Sequence, residues 1–333
     1  MSSNGNPCIL YGELYTKYKS EIISEVISKT NIEKNNLKHS KQNDVIIPCS
    51  GETAVDIAVA RCVPFDNILL GGDLNIIRLH KYDGAFMAYQ LNSKRKIEIA
   101  KLAQGVSVVH LYGENLKSIN TYNPSLQEQQ KIVRLLSLLD ERIKVQNKII
   151  KKLQSLIKGI TILLTTKGAP NTIIAQCLEC HSSTLQESEV SHSGLYKVFG
   201  ANGLLGYTDM PQRNGDSILI IKDGSGVGTV SYVQGEFSII GTLNYLTAIS
   251  NYDLRYLYFV LSVFNFQSYK TGMAIPHIYF KDYGNAKIYC PPLSEQKYIA
   301  NVLGKLESKL FLEQNILVSF NLQKRFLLGQ MFI

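Results

Sequence analysis

Cysteine, glycine and histidine stand in three groupings whose types and spacing could carry chemistry. Cys177-Leu178-Glu179-Cys180-His181 has the spacing of c-type haem attachment, and its Cys-x-x-Cys with nearby His192 could begin a zinc site. Haem attachment needs an exported protein and zinc needs a second ligand pair that the sequence does not supply. The two thiols therefore read as small apolar residues of a strand or turn. Asp223-Gly-Ser-Gly-Val-Gly228 follows a strand, where a phosphate cradle would sit, yet it leads into another strand and not into the helix N-terminus that aims N–H groups at a phosphate. No GxxxxGK[ST] exists, since Gly304-Lys305 is followed by Leu306. Glycine in this loop lets a hairpin backbone approach something closely, and DNA is one candidate. His110 and His277 lack the serine, cysteine or carboxylate neighbours of a nucleophile or metal site and read as hydrogen-bonded structural residues. No paired-carboxylate, metal or triad constellation amounts to an active site, and no catalytic or metal-ligating residue is assigned.

The elements that must position these groups are organised around the stretch from Asn123 to about Thr166. Its apolar residues fall at Ile132, Leu136, Leu139, Ile143, Ile150, Leu153, Ile157, Ile160 and Leu164, in steps of three, four and seven that keep one stripe on one side of a helix, broken by Gln146. Forty residues at about 1.5 Å each make a rod of roughly 60 Å, which calls for a partner helix. The sequence supplies one 167 positions later, because Gly105–Gln129 and Gly272–Gln296 match without a gap at Gly105/Gly272, His110/His277, Tyr112/Tyr279, Pro124/Pro291, Leu126/Leu293, Glu128/Glu295 and Gln129/Gln296. This is an internal duplication. In the second helix Ile299, Leu303, Leu306, Leu310, Leu317, Phe320 and Leu327 continue the seam, and Glu313 falls where Gln146 fell.

At 333 residues, with 45% hydrophobic content and a mean hydropathy of −0.01, the chain suits two compact domains of a globular protein. It holds no run of 18 apolar residues, and its N-terminus lacks a secretory pattern, so a cytoplasmic location is expected. Cys8, Cys49, Cys62, Cys177, Cys180 and Cys290 read as reduced thiols. The formal net charge is +8: residues 1–123 carry 14 basic and 12 acidic residues, 124–167 carry 9 and 3, 168–291 carry 7 and 9, and 292–333 carry 5 and 3. Most of the excess lies on the central helix, where charge alone favours a solvated coiled-coil flank over an electrostatic footprint for nucleic acid.

In chain order, Leu14–Thr30 has helical or mixed spacing, 32–43 is a polar loop, and Asp44–Pro48 is a strand. Residues 50–53 form a tight turn, Asp56–Val63 a second strand or buried run, and Leu79–Leu91 a helix. Ser125 and Glu128 have capping-box spacing at the start of the first rod, and Lys167-Gly168-Ala169-Pro170 stops it. Beyond it, residues 194–209, 217–222, 229–233 and 237–249 read as strand regions, 213–216 as a turn, and Asp253–Phe264 as a helix. The expected fold class is α+β: two mixed domains, 1–122 and 168–290, with spacer helices 123–167 and 291–333 packed as an antiparallel coiled coil.

A Pro-x-Leu-x-Glu-Gln lead into a long helix, at 124–129 and again at 291–296, each behind a domain of about 120 residues, resembles the specificity subunit of type I restriction-modification systems. Residues 196–209 with 222–230 look like one version of that family's target-recognition domain, and 50–62 with 71–78 and 104–112 look like another. The first domain departs from the pattern, since about 25 residues (171–195) precede the strand at 196 whereas the comparable CILYGELY begins at Cys8. A shortened first domain is the expectation.

The resemblance implies a non-catalytic subunit in which each domain reads one half of a bipartite DNA site. Two modification subunits would methylate adenine with S-adenosylmethionine, restriction and motor subunits using ATP and Mg would cleave, and this chain would bind no cofactor itself. The Asn/Asp-Pro-Pro-aromatic motif of adenine methyltransferases is absent, since Asn123-Pro124-Ser125 and Cys290-Pro291-Pro292-Leu293 do not match it. DNA-contact candidates are Tyr11, Tyr15, Lys17, Ser50 and Thr53 in the first domain and Asn202, Tyr207, Arg213, Lys222, Ser225 and Lys270 in the second, from the capacity of amides, guanidinium and ammonium groups to meet base edges and phosphates. A competing class is a structural adaptor holding two protein-binding domains apart on a coiled coil. A nucleotide enzyme is third.

Overall fold

The computed structural model describes residues 4–32 and 37–332. It divides into two compact units, Met1–Lys148 with Asn315–Ile333, and Ile149–Gln314, so each unit takes a domain and a part of both rods.

The first unit holds β1 (Asn6–Ile9), α1 (Glu13–Thr16), β2 (Ser28–Thr30), β3 (Lys38–His39), β4 (Asp44–Pro48), β5 (Ser50–Gly51), α2 (Ala54–Ile57), β6 (Arg61–Val63), β7 (Leu69–Leu70) and β8 (Leu74–Ile77). It continues with α3 (Gly84–Asn92), α4 (Arg95–Lys101), β9 (Val109–His110), α5 (Gly113–Leu116) and the first part of α6 (Leu126–Thr165). One sheet has the order β2-β1-β7-β3 with β1 parallel to β7, a second the order β6-β4-β8, and β5 pairs with β9. All five residues of β4 are buried, which suits an apolar strand with a neighbour on each edge.

Local hydrogen bonds explain where elements differ from the sequence expectation. Thr53 Oγ1 accepts the Asp56 N–H at 3.2 Å, so the apolar run after it opens as one helical turn, and the strand begins only at Arg61. Asp83 accepts the Phe86 N–H at 2.9 Å, so the helix expected from Leu79 starts at Gly84. Between Leu14 and Thr30 only Glu13–Thr16 is helical, because the Ile23 N–H pairs with the Cys62 carbonyl and holds that segment along β6. Ser50–Gly51 is a strand where a turn was expected, and Lys38–His39 interrupts the expected polar loop, of which residues 33–36 lie outside the described residues.

The second unit continues with β10 (Thr172–Ile173), α7 (Ile174–Cys177), β11 (Leu178–Ser182), β12 (Tyr196–Gly200), β13 (Gly203–Thr208), β14 (Arg213–Asn214), β15 (Ser217–Ile221), β16 (Val230–Val233), β17 (Glu236–Ile239) and β18 (Leu243–Ala248). After these come α8 (Leu254–Val263), α9 (Phe280–Tyr283), β19 (Lys287–Ile288) and α10 (Leu293–Met331), whose end from Asn315 belongs to the first unit. Sheet β13-β12-β17-β14, with β12 parallel to β17, repeats the plan of β2-β1-β7-β3. Sheet β11-β18-β15-β16 repeats β6-β4-β8 and adds β11 at the edge. The residues between 171 and 195 that distinguish the second domain thus become β10, which pairs with β19, then α7 and β11. Arg213–Asn214, expected as a turn, pairs with β17.

The duplicated lead-in works the same way twice. Gln129 Nε2 donates to the Pro124 carbonyl at 2.8 Å while its Oε1 accepts the Asp83 N–H at 2.9 Å; Gln296 Nε2 donates to Pro291 at 2.8 Å and accepts from the Asp253 N–H at 2.9 Å. Asp83 and Asp253 cap α3 and α8, so each buried glutamine ties the start of a rod to the start of the helix beside it. Ser125 and Glu128 form the capping box of α6. Glu295 instead pairs with Lys167.

Along α6, Leu136, Leu139, Gln146 and Ile150 are buried and Ile132, Ile143, Leu153, Ile157, Ile160 and Leu164 half-buried. Along α10, Ile299, Leu303 and Glu313 are buried and Leu306, Leu310, Leu317, Phe320 and Leu327 half-buried. In the first unit Ile132, Val133 and Leu136 pack with Leu327, Leu328, Met331 and Phe332 against Phe86 and Tyr89 of α3. In the second, Ile160 and Leu164 pack with Ile299, Leu303 and Leu306. The start of α6 thus meets the end of α10 and its end meets the start of α10: the rods pair antiparallel.

Each rod carries a carboxylate, at positions 167 apart, that takes a tyrosine hydroxyl and a cation. Asp140 accepts from Tyr89 Oη at 2.7 Å and pairs with Lys324 at 2.6 Å, and Lys324 also reaches Glu21 at 2.7 Å. Glu307 accepts from Tyr258 Oη at 2.9 Å and pairs with Arg255, whose guanidinium lies 4.3 Å from the Tyr232 ring centre.

Candidate nucleic-acid interface

In the first unit, α1 and β5 bring Tyr15 beside Gly51, with Tyr11 near the same phenol. A Cβ on Gly51 would lie 3.4 Å from the Tyr15 hydroxyl, and burial, then Tyr11, Glu52 and Asp56, pushes that phenol up from its ordinary value. The other candidates there are engaged internally. Lys17 pairs with Glu13 at 2.7 Å, Ser50 Oγ donates to Asp73 at 3.3 Å from a buried position, and Thr53 spends its hydroxyl on the α2 cap.

The second unit separates its candidates into two groups. Asn202 occupies the tip of the β12–β13 hairpin, where Gly203 takes φ +101°, and Tyr207 and Arg213 lie on the same sheet. Tyr207 exchanges two backbone bonds with Ser191, and the buried Nε of Arg213 has no hydrogen-bond partner. The other group surrounds the Gly-rich loop after β15. Ile278 N–H donates to the Lys222 carbonyl at 2.9 Å and Gly224 N–H to the Pro276 carbonyl at 3.0 Å, which fastens loop 223–228, with exposed Ser225, to the segment Thr271–His277 that follows Lys270. His277 Nδ1 lies 2.6 Å from Asp223 Oδ1, closing the junction. Lys222 Nζ is 4.0 Å from the other Asp223 oxygen. Lys222, Ser225 and Lys270 thus flank one joined pair of loops, with Gly224 at φ +99° and open space where a Cβ would project.

The sequence reading passed over Met273 and Ile275, fully and half exposed at the tip of the second loop, and their counterparts Val106 and Val108. Apolar residues in matching places between a duplicated glycine and histidine were the available signal.

Cys177 is held far above the ordinary thiol range by its hydrogen bond to Cys290 and by burial, and Cys180 is raised to about 11, chiefly by burial. Among the described residues no cluster of three His, Cys, Asp or Glu side chains could hold a metal ion, and no helix is long and apolar enough to cross a membrane. An open cleft of about 570 Å³ in the first unit contains Cys62, His80 and Asp83, but burial, then Asp83 and Asp44, push the Cys62 thiol up to about 12, so it stays protonated. A second, of about 450 Å³, is lined by Tyr232, Arg255, Asn301, Lys305 and Ser308, and the Ser308 hydroxyl donates to the Gly304 carbonyl at 2.9 Å.

Two mixed domains, each leading through the same glutamine clamp into a rod, define a duplicated recognition scaffold. The chain matches the family described as Type I restriction modification DNA specificity domain over residues 2–155 and 178–319, and it belongs to that family. It is 25% identical over 116 residues to the Type I restriction enzyme EcoprrI specificity subunit of Escherichia coli, an alignment covering 35% of this chain and 29% of that subunit. It resembles the solved type I restriction-modification S subunit from M. genitalium with a TM-score of 0.66 and 19% identity, covering 98% of this chain and 92% of that one. A structure solved for complex assembly and conformational transition of the type I R-M system matches with a TM-score of 0.56 and 17% identity over 92% of this chain and 87% of that one.

Proposed function

We propose that this chain is the non-catalytic specificity subunit of a type I restriction-modification complex, each of its units reading one half of a bipartite site in double-stranded DNA in the cytoplasm. The observation that carries the reading is the repeat itself: one sheet plan, glutamine clamp and rod made twice within a chain of the specificity-domain family. Sequence reading would come from side chains on the loops and hairpin tips, with Lys222 and Lys270 against phosphates. Modification subunits methylate adenine with S-adenosylmethionine and restriction subunits cleave with ATP and Mg, so the chemistry and the cofactors lie in the partners.

Exposed apolar residues on the rods are the surface proposed for docking those partners. On α6, Leu138 and Val145 of the first unit are exposed seven residues apart, and so, within the second unit, are Ile149, Leu156 and Leu163, none of them a seam residue. A second apolar stripe on a paired helix is what a further helix would cover.

The test is to sequence methylated adenines in cells carrying the modification subunits with and without this chain. A split motif that appears only when the chain is present is expected. Methylation that is unchanged on its removal would sink the proposal and favour a protein adaptor.

A further inference from the structure

The duplicated glycine and histidine that frame the loops at 105–110 and 272–277 do more than mark the repeat. Gln104 and His110 exchange backbone bonds of 2.9 and 2.7 Å, and Thr271 and His277 do the same at 2.9 and 2.7 Å, so each loop is closed at its base by a pair of reciprocal bonds. Gly105 takes φ +118° and Gly272 φ +85°; a Cβ there would stand 2.2 Å from the Val108 carbonyl oxygen and 2.4 Å from that of Ile275. Only glycine tolerates both demands, and the result is a tight, stiff projection. At the base His110 stacks on Tyr112 with centroids 6.3 Å apart, and His277 on Tyr279 at 6.4 Å.

What these projections present is apolar. Val106 is 98% exposed and Val108 52%, Met273 106% and Ile275 58%. Exposing such side chains on a rigid stem has no folding benefit, yet it occurs in the same place in both units. Two side chains are too few to hold a protein partner, since a specific interface buries roughly 800 Å² per side. A base-pair step, in contrast, is opened by a single apolar side chain.

The surroundings in the second unit suit DNA. Lys222 and Lys270 stand at the base of the projection, Lys281 Nζ stands 5.4 Å from the Tyr279 ring centre, and the neighbouring acid, Asp223, is taken up by His277. The Gly-rich loop fastened alongside leaves room for a backbone to come close.

Resting on the DNA-reading function above, we propose that the two tips are wedges: Met273 with Ile275, and Val106 with Val108, insert between stacked base pairs of their own half-sites and kink the duplex. Flexible pyrimidine–purine steps would accept them at least cost, so each wedge adds selectivity at a step where no base edge is hydrogen-bonded.

The experiment uses the chain in complex with its modification subunits and duplexes bearing the methylated motif, with 2-aminopurine replacing adenines one at a time across each half-site. Apart from the target adenine, which the modification subunits flip out of the stack, wild-type binding should raise the fluorescence at one further step per half-site. The double variant Met273→Ala, Ile275→Ala should abolish the rise in one half-site only and weaken binding roughly tenfold, as loss of a buried apolar side chain implies, without changing the salt dependence. Val106→Ala with Val108→Ala should do so in the other half-site. A variant that keeps both fluorescence and affinity overturns the proposal, as does one that loses the modification subunits instead, which would make the tip a protein contact. A wild-type complex that does not prefer the motif over a scrambled duplex would refute DNA reading itself, and the wedges with it.

Discussion

Lys324 stands in the seam of α10, four positions after Phe320 and three before Leu327, with its ammonium bonded to Glu21 and Asp140. Burial alone would lower its pKa; the two carboxylates outweigh burial and hold it above the ordinary lysine value. Replacing it, as in Lys324→Met, leaves buried Glu21 and half-buried Asp140 without the ammonium they share. The first unit should lose about 3 kcal/mol of stability in urea unfolding, and adding Glu21→Gln with Asp140→Asn should restore most of it. Because the folded pKa is raised, the contribution is complete below the unfolded value and lost as pH rises through the folded one. The wild-type advantage over Lys324→Met should therefore persist through neutral pH and shrink in strong alkali. None of this was legible in the sequence. A lysine on a helix reads as solvated, and its partner Glu21 is 303 residues away.

At the scale of elements, what could be read depended on how local the cause is. The rods, the repeat, the Ser125–Glu128 cap and strand β4 were legible because periodicity or a three-residue spacing determines them. The starts of α2 and α3 were not, because a side-chain cap at Thr53 or Asp83 overrides an apolar run that suits helix and strand equally. The duplicated glutamines were visible as a match but not as clamps, since Asp83 and Asp253 come from distant segments. Gln296→Leu orphans the Asp253 N–H and the Pro291 carbonyl at a site that is 2% exposed, and should cost the second unit about 2 kcal/mol in thermal or urea unfolding. An unchanged midpoint would mean that the lead-in is held by apolar packing alone.

For the whole molecule, the proposed function makes rod length a ruler for the two half-sites. Deleting Asn147–Leu153 together with Gln314–Phe320 removes one heptad from each rod, keeps the seam on its face, and shortens the spacer by about 10 Å, or about three base pairs. The methylated motif should keep its bases and lose about that much of its gap when methylated adenines are sequenced. An active variant with the original gap would show that something else measures the DNA. The candidate interface was legible in outline, as glycine-rich loops with basic neighbours, but the joining of loop 223–228 to 271–277 requires the sheet that brings them together. The first unit is closed by the far end of the chain, with Phe332 5.3 Å from Phe86 between ring centres and Lys324 in its ion cluster. Domains made early in translation ordinarily fold first as they leave the ribosome. Here the first unit departs from that order, because it cannot be completed until residues 315–332, which are synthesised after every residue of the second unit, are free to pack against α3 and Glu21.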